Sequence, residues 1–228
     1  MSIRSALVIG AGGGVGHATV EALEGAGAQV LAAGRERDAT DTTHVAALLA
    51  ESDPDLVVVA AGARPRMASV EEQDWESFSM PWNVDTRIAF EVGRAAIARP
   101  LRRGSMVLIV SSGAALNVGG SPLSGGYAGA KRMQMFLAAA LQRSSDARGL
   151  GIRFVALAPS ELLAGTAIGE AAAIAYDTHA GPLDPVGVAR AIVAIASGEA
   201  HPEATQLSVT NRGIEVVATS MSSTETEC

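Results

Sequence analysis

The chain has 228 residues, with 17 basic and 24 acidic side chains and a formal net charge of −7. This length fits one domain, and 48% hydrophobic with 18% charged residues excludes a chain that is mostly disordered. The acidic balance argues against nucleic acid or an anionic membrane as partner, and no run of about 18 apolar residues is uncharged enough to span a bilayer.

Apolar strands alternate with helical segments along the chain. In chain order, strands are predicted at 6–9, 30–33, 56–60, 107–110, 152–157 and 206–210. Helices are predicted at 15–23, 45–49, 75–98, 127–148 and 184–197. The link 34–41 is too short for a full helix, and the Ala/Gly-rich segment 161–181 is expected to be mobile.

Strands that are apolar along their whole length and separated by helices are typical of parallel βαβ units. The pattern therefore predicts an α/β fold: a single Rossmann-type, doubly wound parallel sheet with helices on both faces. We expect one domain over residues 1–218 and a disordered tail over 219–228, which is rich in Ser, Thr and Glu.

A glycine-rich turn joins the first strand to the first helix. Gly10-x-x-x-Gly14-x-Gly16 would let the backbone approach a pyrophosphate, which the N–H groups at the helix start would face. Glycine is common here, 25 of 228 residues, so the position of the motif rather than its spacing favours a nucleotide site. The predicted contacts are Gly10, Gly12, Gly13, Gly14, Val15 and Gly16.

The second strand ends in Gly34-Arg35, without a carboxylate to take the ribose hydroxyls of NAD. Arg35 brings a guanidinium fork that suits a phosphate, although a solvated surface arginine is also common. The sequence therefore favours NADP(H) over NAD(H).

The most specific motif is Tyr127-x-x-x-Lys131, because residues four apart share one face of a helix. An ammonium close to a phenol favours the phenolate, which suits a general acid near neutral pH. Lys131 is the only lysine among 17 basic residues, and it follows one of only two tyrosines. A solvated helical pair is a poor explanation for that coincidence.

Together, the glycine turn, the serines after the strand at 107 and Tyr127-x-x-x-Lys131 resemble the short-chain dehydrogenase/reductase family, over nearly the whole chain. The resemblance implies that Tyr127 donates a proton, that Lys131 holds the nicotinamide ribose and eases proton release from the tyrosine, and that Ser112 polarises a carbonyl, with Ser111 as rival. It also implies that Asn83, in Trp82-Asn83-Val84, completes a proton relay.

The same resemblance suggests further cofactor contacts at Asp38 and Ala39, at Ala60, Ala61 and Gly62, and at Pro159 and Thr166. Several positions depart from the family pattern. The family's Asn-Ala-Gly is Ala60-Ala61-Gly62 here, Ser112 and Tyr127 are further apart than usual, and the helix between the second and third strands is expected to be missing. These departures leave the catalytic set present.

Other features carry no chemistry of their own. The four histidines lack metal-ligand spacing, so no metal is expected. Cys228 is the only cysteine, so no disulfide framework is expected. This cysteine usage predicts a cytoplasmic location.

The interpretation is an NADP(H)-dependent carbonyl reductase or alcohol dehydrogenase acting on a small molecule. The alternatives are a redox-neutral dehydratase or cyclase that uses the same tyrosine, and a non-catalytic NADP(H)-binding sensor. The resemblance also implies a homodimer or homotetramer, paired through the helices at 75–98 and 127–148. The apolar, short segment at 161–181 does not identify the substrate.

Overall fold

The computed structural model describes residues 3–117 and 121–217. Their strands form one seven-stranded sheet in the order β2-β1-β3-β4-β5-β6-β7. The strands are β1 Ser5–Ile9, β2 Gln29–Ala33, β3 Leu56–Val59, β4 Met106–Val110, β5 Arg153–Pro159, β6 Gln206–Thr210 and β7 Gly213–Val216. All neighbouring pairs are parallel except β6 and β7, which are antiparallel.

The helices lie on both faces of this sheet, which confirms the predicted fold class. They are α1 Gly14–Gly25, α2 Thr42–Ser52, α3 Trp75–Pro81, α4 Arg87–Ala98, α5 Gly125–Ala147, α6 Ala167–Ala175 and α7 Pro185–Ser197. A π-helical segment, Trp82–Thr86, joins α3 to α4. Within the described ranges, no helix is both long enough and apolar enough to cross a membrane.

The central strands are buried on both faces, and alternate side chains enter two separate cores. Leu7 and Val57 pack in the core shared with α2, α4 and α5. Val8 and Val58 pack in the core shared with α1 and α7. Burying one such side chain contributes roughly 1.5–3 kcal/mol, so the uninterrupted apolar runs are what fix these strands.

Helix α2 corrects the expectation that this helix is missing and that only 45–49 is helical. Its 11 residues run from Thr42 to Ser52, because the Asp41 side chain accepts hydrogen bonds from the N–H groups of Thr43 and His44. This cap offsets the weak helix propensity of Thr42, Thr43 and His44.

Three further boundaries differ from the sequence prediction. The helix expected at 75–98 is interrupted after Pro81, where the ring removes a backbone donor and a π-helical segment follows. The segment 161–181 contains α6, and β7 adds an antiparallel edge to a sheet expected to be parallel. The predicted tail at 219–228 lies outside the described residues, so the division at 218 stays a prediction.

The order of the strands positions the site. From β1 the chain passes first to β2 on one side and then to β3 on the other, so the helices after β1 and β3 leave on opposite faces of the sheet. The carboxyl ends of the strands at such a switch point border a crevice, which is where open α/β sheets bind ligands.

Candidate functional site

A cleft of about 630 Å³ opens at this switch point. Most of the residues predicted from the sequence line it. These are Gly13, Gly14, Val15, Gly16, Arg35, Ala60, Gly62, Ser112, Tyr127, Lys131, Pro159 and Thr166. Gly10, Gly12, Asp38, Ala39, Ala61 and Asn83 are not among its lining residues.

The glycine turn is closed by contacts that leave no room for side chains. A Cβ atom at Gly16 would lie 2.1 Å from the Gly10 carbonyl oxygen, and one at Gly10 would lie 2.4 Å from the Ala61 nitrogen. Gly10, with φ of +90°, thus supports the turn rather than facing a ligand. Gly13, the N-cap residue of α1, supplies no side-chain acceptor to the first-turn N–H groups, so these suit a pyrophosphate.

The end of β2 differs from the expectation in one respect. Arg35 lines the cleft, but the carboxylate of Glu36 folds back and accepts a hydrogen bond from the Gly34 N–H at 2.8 Å. Hydrogen bonds from its own N–H and from that of Gly34 hold the pKa of Glu36 below its ordinary value. A cation and an anion therefore stand together where the sequence indicated only a cation.

Asp38 and Ala39, two of the predicted cofactor contacts, do not line the cleft, and their side chains make contacts within the fold. The Asp38 carboxylate accepts hydrogen bonds from the N–H and hydroxyl of Thr40, at 2.9 and 2.7 Å. Ala39 is buried in the core beneath α2. Their side chains close the turn that leads into α2.

Helix α5 brings Tyr127 and Lys131 together in the cleft. Both side chains are buried, and Lys131 Nζ lies 5.6 Å from the centroid of the Tyr127 ring. The helix can approach its neighbours closely because Gly126 faces the Phe78 carbonyl and Gly129 faces the Trp82 ring. The predicted i, i+4 pair thus has the proximity that its chemistry needs.

An acidic residue that the sequence reasoning missed completes this cluster. Asp85 Oδ2 lies 3.0 Å from Lys131 Nζ, and the Lys131 ammonium also donates to the Val110 carbonyl at 3.3 Å. Burial alone lowers the pKa of Lys131, but the Asp85 carboxylate, with a smaller effect of Tyr127, outweighs it, so the pKa lies above its ordinary value. Asp85 lies three, four and seven residues before the buried Ile88, Ala89 and Val92, which is the spacing of one helix face. This helical spacing could have identified Asp85 as buried from the sequence.

Asn83 does not join the cluster. Its side chain is exposed, and its amide donates to the Ser79 hydroxyl at 3.3 Å. The π-helical segment rotates the chain so that Asp85, two residues later, faces Lys131 instead. The relay role that the resemblance implies for Asn83 stays a prediction.

The two candidate serines have different hydrogen bonds. The buried Ser111 hydroxyl donates to the Lys131 carbonyl at 2.8 Å, which commits its proton. The Ser112 hydroxyl accepts from the Ala114 N–H at 3.3 Å and lines the cleft. Because its proton remains available to a ligand, Ser112 suits a carbonyl better than Ser111.

Comparison with known proteins now decides the family. The sequence model of the NAD dependent epimerase/dehydratase family matches residues 6–163, well over half of the chain. The chain belongs to this family. The short-chain dehydrogenase/reductase resemblance, predicted from the motifs, is confirmed by this match together with the similar proteins below.

One curated relative of this family member is the L-xylulose reductase of Mus musculus, 37% identical over 95 residues, which are 42% of this chain. The matched region spans 33% of that relative's length.

Solved structures share the fold over most of their length. A short chain dehydrogenase from Mycobacterium avium superposes with a TM-score of 0.72 at 22% identity, covering 95% of this chain and 85% of its own. The 3-ketoacyl-(acyl-carrier-protein) reductase from Brucella melitensis, complexed with NADH, gives 0.73 at 22% identity, covering 90% and 96%. A short chain dehydrogenase from Burkholderia cenocepacia J2315, in complex with NADP, gives 0.68 at 19% identity, covering 85% and 90%.

The residues of this family member fit the dinucleotide that the family name implies. The turn before α1 has glycines where a Cβ atom would collide, the first turn of α1 has no side-chain cap, and Lys131 is charged at the cleft. Among the described residues, no three His, Cys, Asp or Glu side chains come together to hold a metal ion.

Helix α6 and its flanking loops cover the cleft in this family member. The Thr166 hydroxyl caps α6, accepting from the Gly169 N–H and donating to the Leu163 carbonyl, while its methyl group packs over Gly14. The Tyr176 hydroxyl, just after α6, bonds to the Ser121 hydroxyl and accepts from the Leu123 N–H at 3.2 Å. The cover is therefore joined both to the glycine turn and to the segment before α5.

Proposed function

We propose that this chain is an NADP(H)-dependent oxidoreductase that interconverts a small carbonyl compound and its secondary alcohol. The observation that carries the proposal is the adjacency of Tyr127 and Lys131, 5.6 Å apart as ring centroid and ammonium, in the cleft that the glycine turn borders. The reductase and dehydrogenase names of the relatives support the same reaction class.

Each residue has a task that its position allows. The glycine turn and the start of α1 bind the pyrophosphate, and Lys131 donates to a ribose hydroxyl. The Ser112 hydroxyl orients the substrate carbonyl, and Tyr127 gives its proton to the carbonyl oxygen as charge develops there. When bound, the nicotinamide supplies or accepts the hydride.

Selection of NADP(H) over NAD(H) rests on Arg35. Its guanidinium lines the cleft at the end of β2, where a 2′-phosphate would be placed by a dinucleotide on the glycine turn. Glu36 acts in the opposite sense, because its carboxylate would repel that phosphate. The proposed preference for NADP(H) therefore depends on the balance between the Arg35 cation and the Glu36 anion.

A redox-neutral reaction is the second candidate function, and the epimerase/dehydratase description of the matching family favours it. The same tyrosine would then move a proton without net consumption of the nicotinamide. A cofactor-binding sensor, which would bind without turnover, is the remaining alternative.

The test is a panel of aldehydes and ketones, with NADPH and NADH each followed by the absorbance of the reduced nicotinamide. We expect stoichiometric loss of NADPH and formation of an alcohol, and both should require Tyr127. Conversion of substrate without net loss of reduced cofactor would favour the redox-neutral reaction. Tight cofactor binding with no conversion across the panel would favour the sensor.

We propose a homodimer or homotetramer as the working assembly and the cytoplasm as its location. The assembly rests on exposed aromatic residues of α4 and α5, and the location on the cysteine usage.

A further inference from the structure

A buried carboxylate lies behind the two residues to which the chemistry is assigned. Asp85 is 0% exposed, and its Oδ1 accepts a hydrogen bond from the Ala63 N–H at 2.7 Å while Oδ2 meets the Lys131 ammonium. One side chain thus connects the π-helical segment, α5 and the turn after β3. A charge this deeply buried persists only when it is paired and hydrogen-bonded.

The contacts of Lys131 define the direction in which it can act. An ammonium has three N–H donors. Asp85 at 3.0 Å and the Val110 carbonyl at 3.3 Å, both inside the protein, occupy two directions. Lys131 also lines the cleft, so its third donor remains for a ligand hydroxyl.

The turn after β3 depends on the same carboxylate. Ala60-Ala61-Gly62 has no polar side chain, whereas the pattern it resembles has an asparagine there. A Cβ atom at Gly62 would lie 2.8 Å from Asp85 Oδ2, so the turn rests directly on Asp85. The asparagine side chain that this turn lacks is therefore replaced by Asp85, a residue of the segment before α4.

Stability alone is a weak reason for such a pair. Replacing a buried ion pair by apolar residues of similar volume is often neutral or stabilising, because desolvation offsets the attraction between the charges. What an apolar pair cannot provide is a charged ammonium held in a fixed direction at the cleft.

We propose that Asp85 is a positioning residue, which keeps the Lys131 ammonium charged and aimed into the cleft while it ties the 61–63 turn to α5. This inference rests on the proposed function only in taking a nicotinamide dinucleotide as the ligand that the ammonium meets.

The electrostatic consequence has a definite sign. Because burial lowers and Asp85 raises the pKa of Lys131, the ammonium of the wild type keeps its charge until the pH passes a pKa above the ordinary lysine value. Without the carboxylate, burial is opposed only by the smaller effect of Tyr127, so the proton leaves at a lower pH. Among the described residues, the other titratable group facing Lys131 is Tyr127, on its own helix, and β4 contributes the Val110 carbonyl.

The first experiment measures the dissociation constant of NADPH, by fluorescence, from about pH 6 to about pH 9 for the wild type and the Asp85→Asn and Lys131→Met variants. Asparagine keeps an acceptor for the Ala63 N–H. We expect a nearly constant value for the wild type. For Asp85→Asn we expect a rise toward alkaline pH, because the charged fraction of a lysine falls about tenfold for each pH unit above its pKa. Lys131→Met should bind weakly at every pH. An Asp85→Asn curve that coincides with the wild type would overturn the proposal.

The second experiment needs no cofactor, and so separates this inference from the proposed function. Lys131→Met leaves a buried carboxylate without its counter-charge, and adding Asp85→Asn removes that carboxylate. We expect the double variant to unfold at a urea concentration about 1 M higher than Lys131→Met alone, because the double variant no longer buries an unpaired charge.

The matched control is the pair Glu91–Arg94, 2.7 Å apart, whose arginine is partly exposed on α4. Adding Glu91→Gln to Arg94→Met should change the urea concentration of unfolding much less than adding Asp85→Asn to Lys131→Met. Neither Arg94→Met nor the double variant should change the pH dependence of NADPH binding. If the change in urea concentration of unfolding at Asp85–Lys131 is no larger than in this control pair, the proposal is contradicted. A large change with an unchanged pH curve would also contradict it, because the pair would then be structural only.

Discussion

Single residues decide whether the cleft performs chemistry or only binds. Tyr127 and Lys131 lie together on α5. Their proposed tasks differ, because the ammonium would meet the ligand before reaction, whereas the phenolic proton would be needed when charge forms on the substrate oxygen. A group used chiefly in the transition state affects kcat more than binding.

The first prediction follows from this difference. Tyr127→Phe should lower kcat by at least ~10²-fold, the lower end for a positioned general acid, and leave the dissociation constant of NADPH within about threefold. Steady-state kinetics on the best substrate, with fluorescence titration of the cofactor, give both numbers. Near-normal turnover by this variant would rule out the reductase mechanism.

The second prediction concerns the two charges at the end of β2. Arg35→Asp should weaken NADPH binding about 10–100-fold, because a charged hydrogen bond is lost and repulsion is added. Glu36→Gln should strengthen it about two- to fivefold, the range of an exposed charge pair, and should barely affect NADH.

Arg37→Gln is the control for both changes. It lies in the same turn, but its guanidinium is bonded to Glu51 at 2.8 Å and is absent from the cleft lining. Equal affinities of the wild type for NADPH and NADH would show that Arg35 selects nothing.

At the scale of whole elements, the glycine turn requires a close approach of backbone to backbone. Gly16→Ala would bring a Cβ atom to 2.1 Å from the Gly10 oxygen, so the turn must move. We expect a loss of about 1–3 kcal/mol in the free energy of unfolding, as for overpacked sites, and at least ~10-fold weaker NADPH binding.

Gly12→Ala is the matched change within the same turn, since nothing lies within 4 Å of a Cβ atom there. It should alter the free energy of unfolding by less than about 0.5 kcal/mol. Urea unfolding and cofactor titration compare the two variants, and equal effects at both positions would contradict the close-approach argument.

The sequence predicted elements well where local patterns and burial agree, and less well where tertiary contacts override local preference. The central strands β1, β3 and β4 were found because both of their faces are buried, so runs of apolar residues mark them. Helix α2 was underestimated because its capping residue outweighs three weak helix formers. The edge strand β7 was missed because its side chains are mostly exposed, so no apolar run marks it.

The candidate site shows the same limit. The motifs predicted Tyr127, Lys131 and most of the glycine turn as lining residues of the cleft. They also predicted Asn83, which does not line the cleft; the π-helical segment brings Asp85 to face Lys131, and a motif read by spacing alone does not register that rotation.

On the scale of the whole molecule, exposed aromatic residues mark the outer face of the layer formed by α4 and α5. Phe90 on α4 is 47% exposed and Phe136 on α5 is 58% exposed. Phe136 follows Tyr127 by about two and a half turns, so α5 points Tyr127 toward the cleft and the Phe136 ring outward. Isolated apolar side chains are common on surfaces, so their significance depends on whether a partner covers them.

The last prediction is that a second copy of this chain covers that face. A stable interface removes about 800 Å² per partner from water, and a carboxylate placed within it would be desolvated without a counter-charge. Phe136→Glu should therefore convert the homodimer or homotetramer to a smaller species at micromolar concentration, measured by light scattering. Its effect on the unfolding free energy of the isolated chain should stay within about 0.5 kcal/mol, because the side chain is exposed there. Val186→Glu, at an exposed position of α7 on the opposite face of the sheet, should leave the assembly unchanged. A monomeric mass for the wild type would contradict the prediction, as would equal dissociation by both variants.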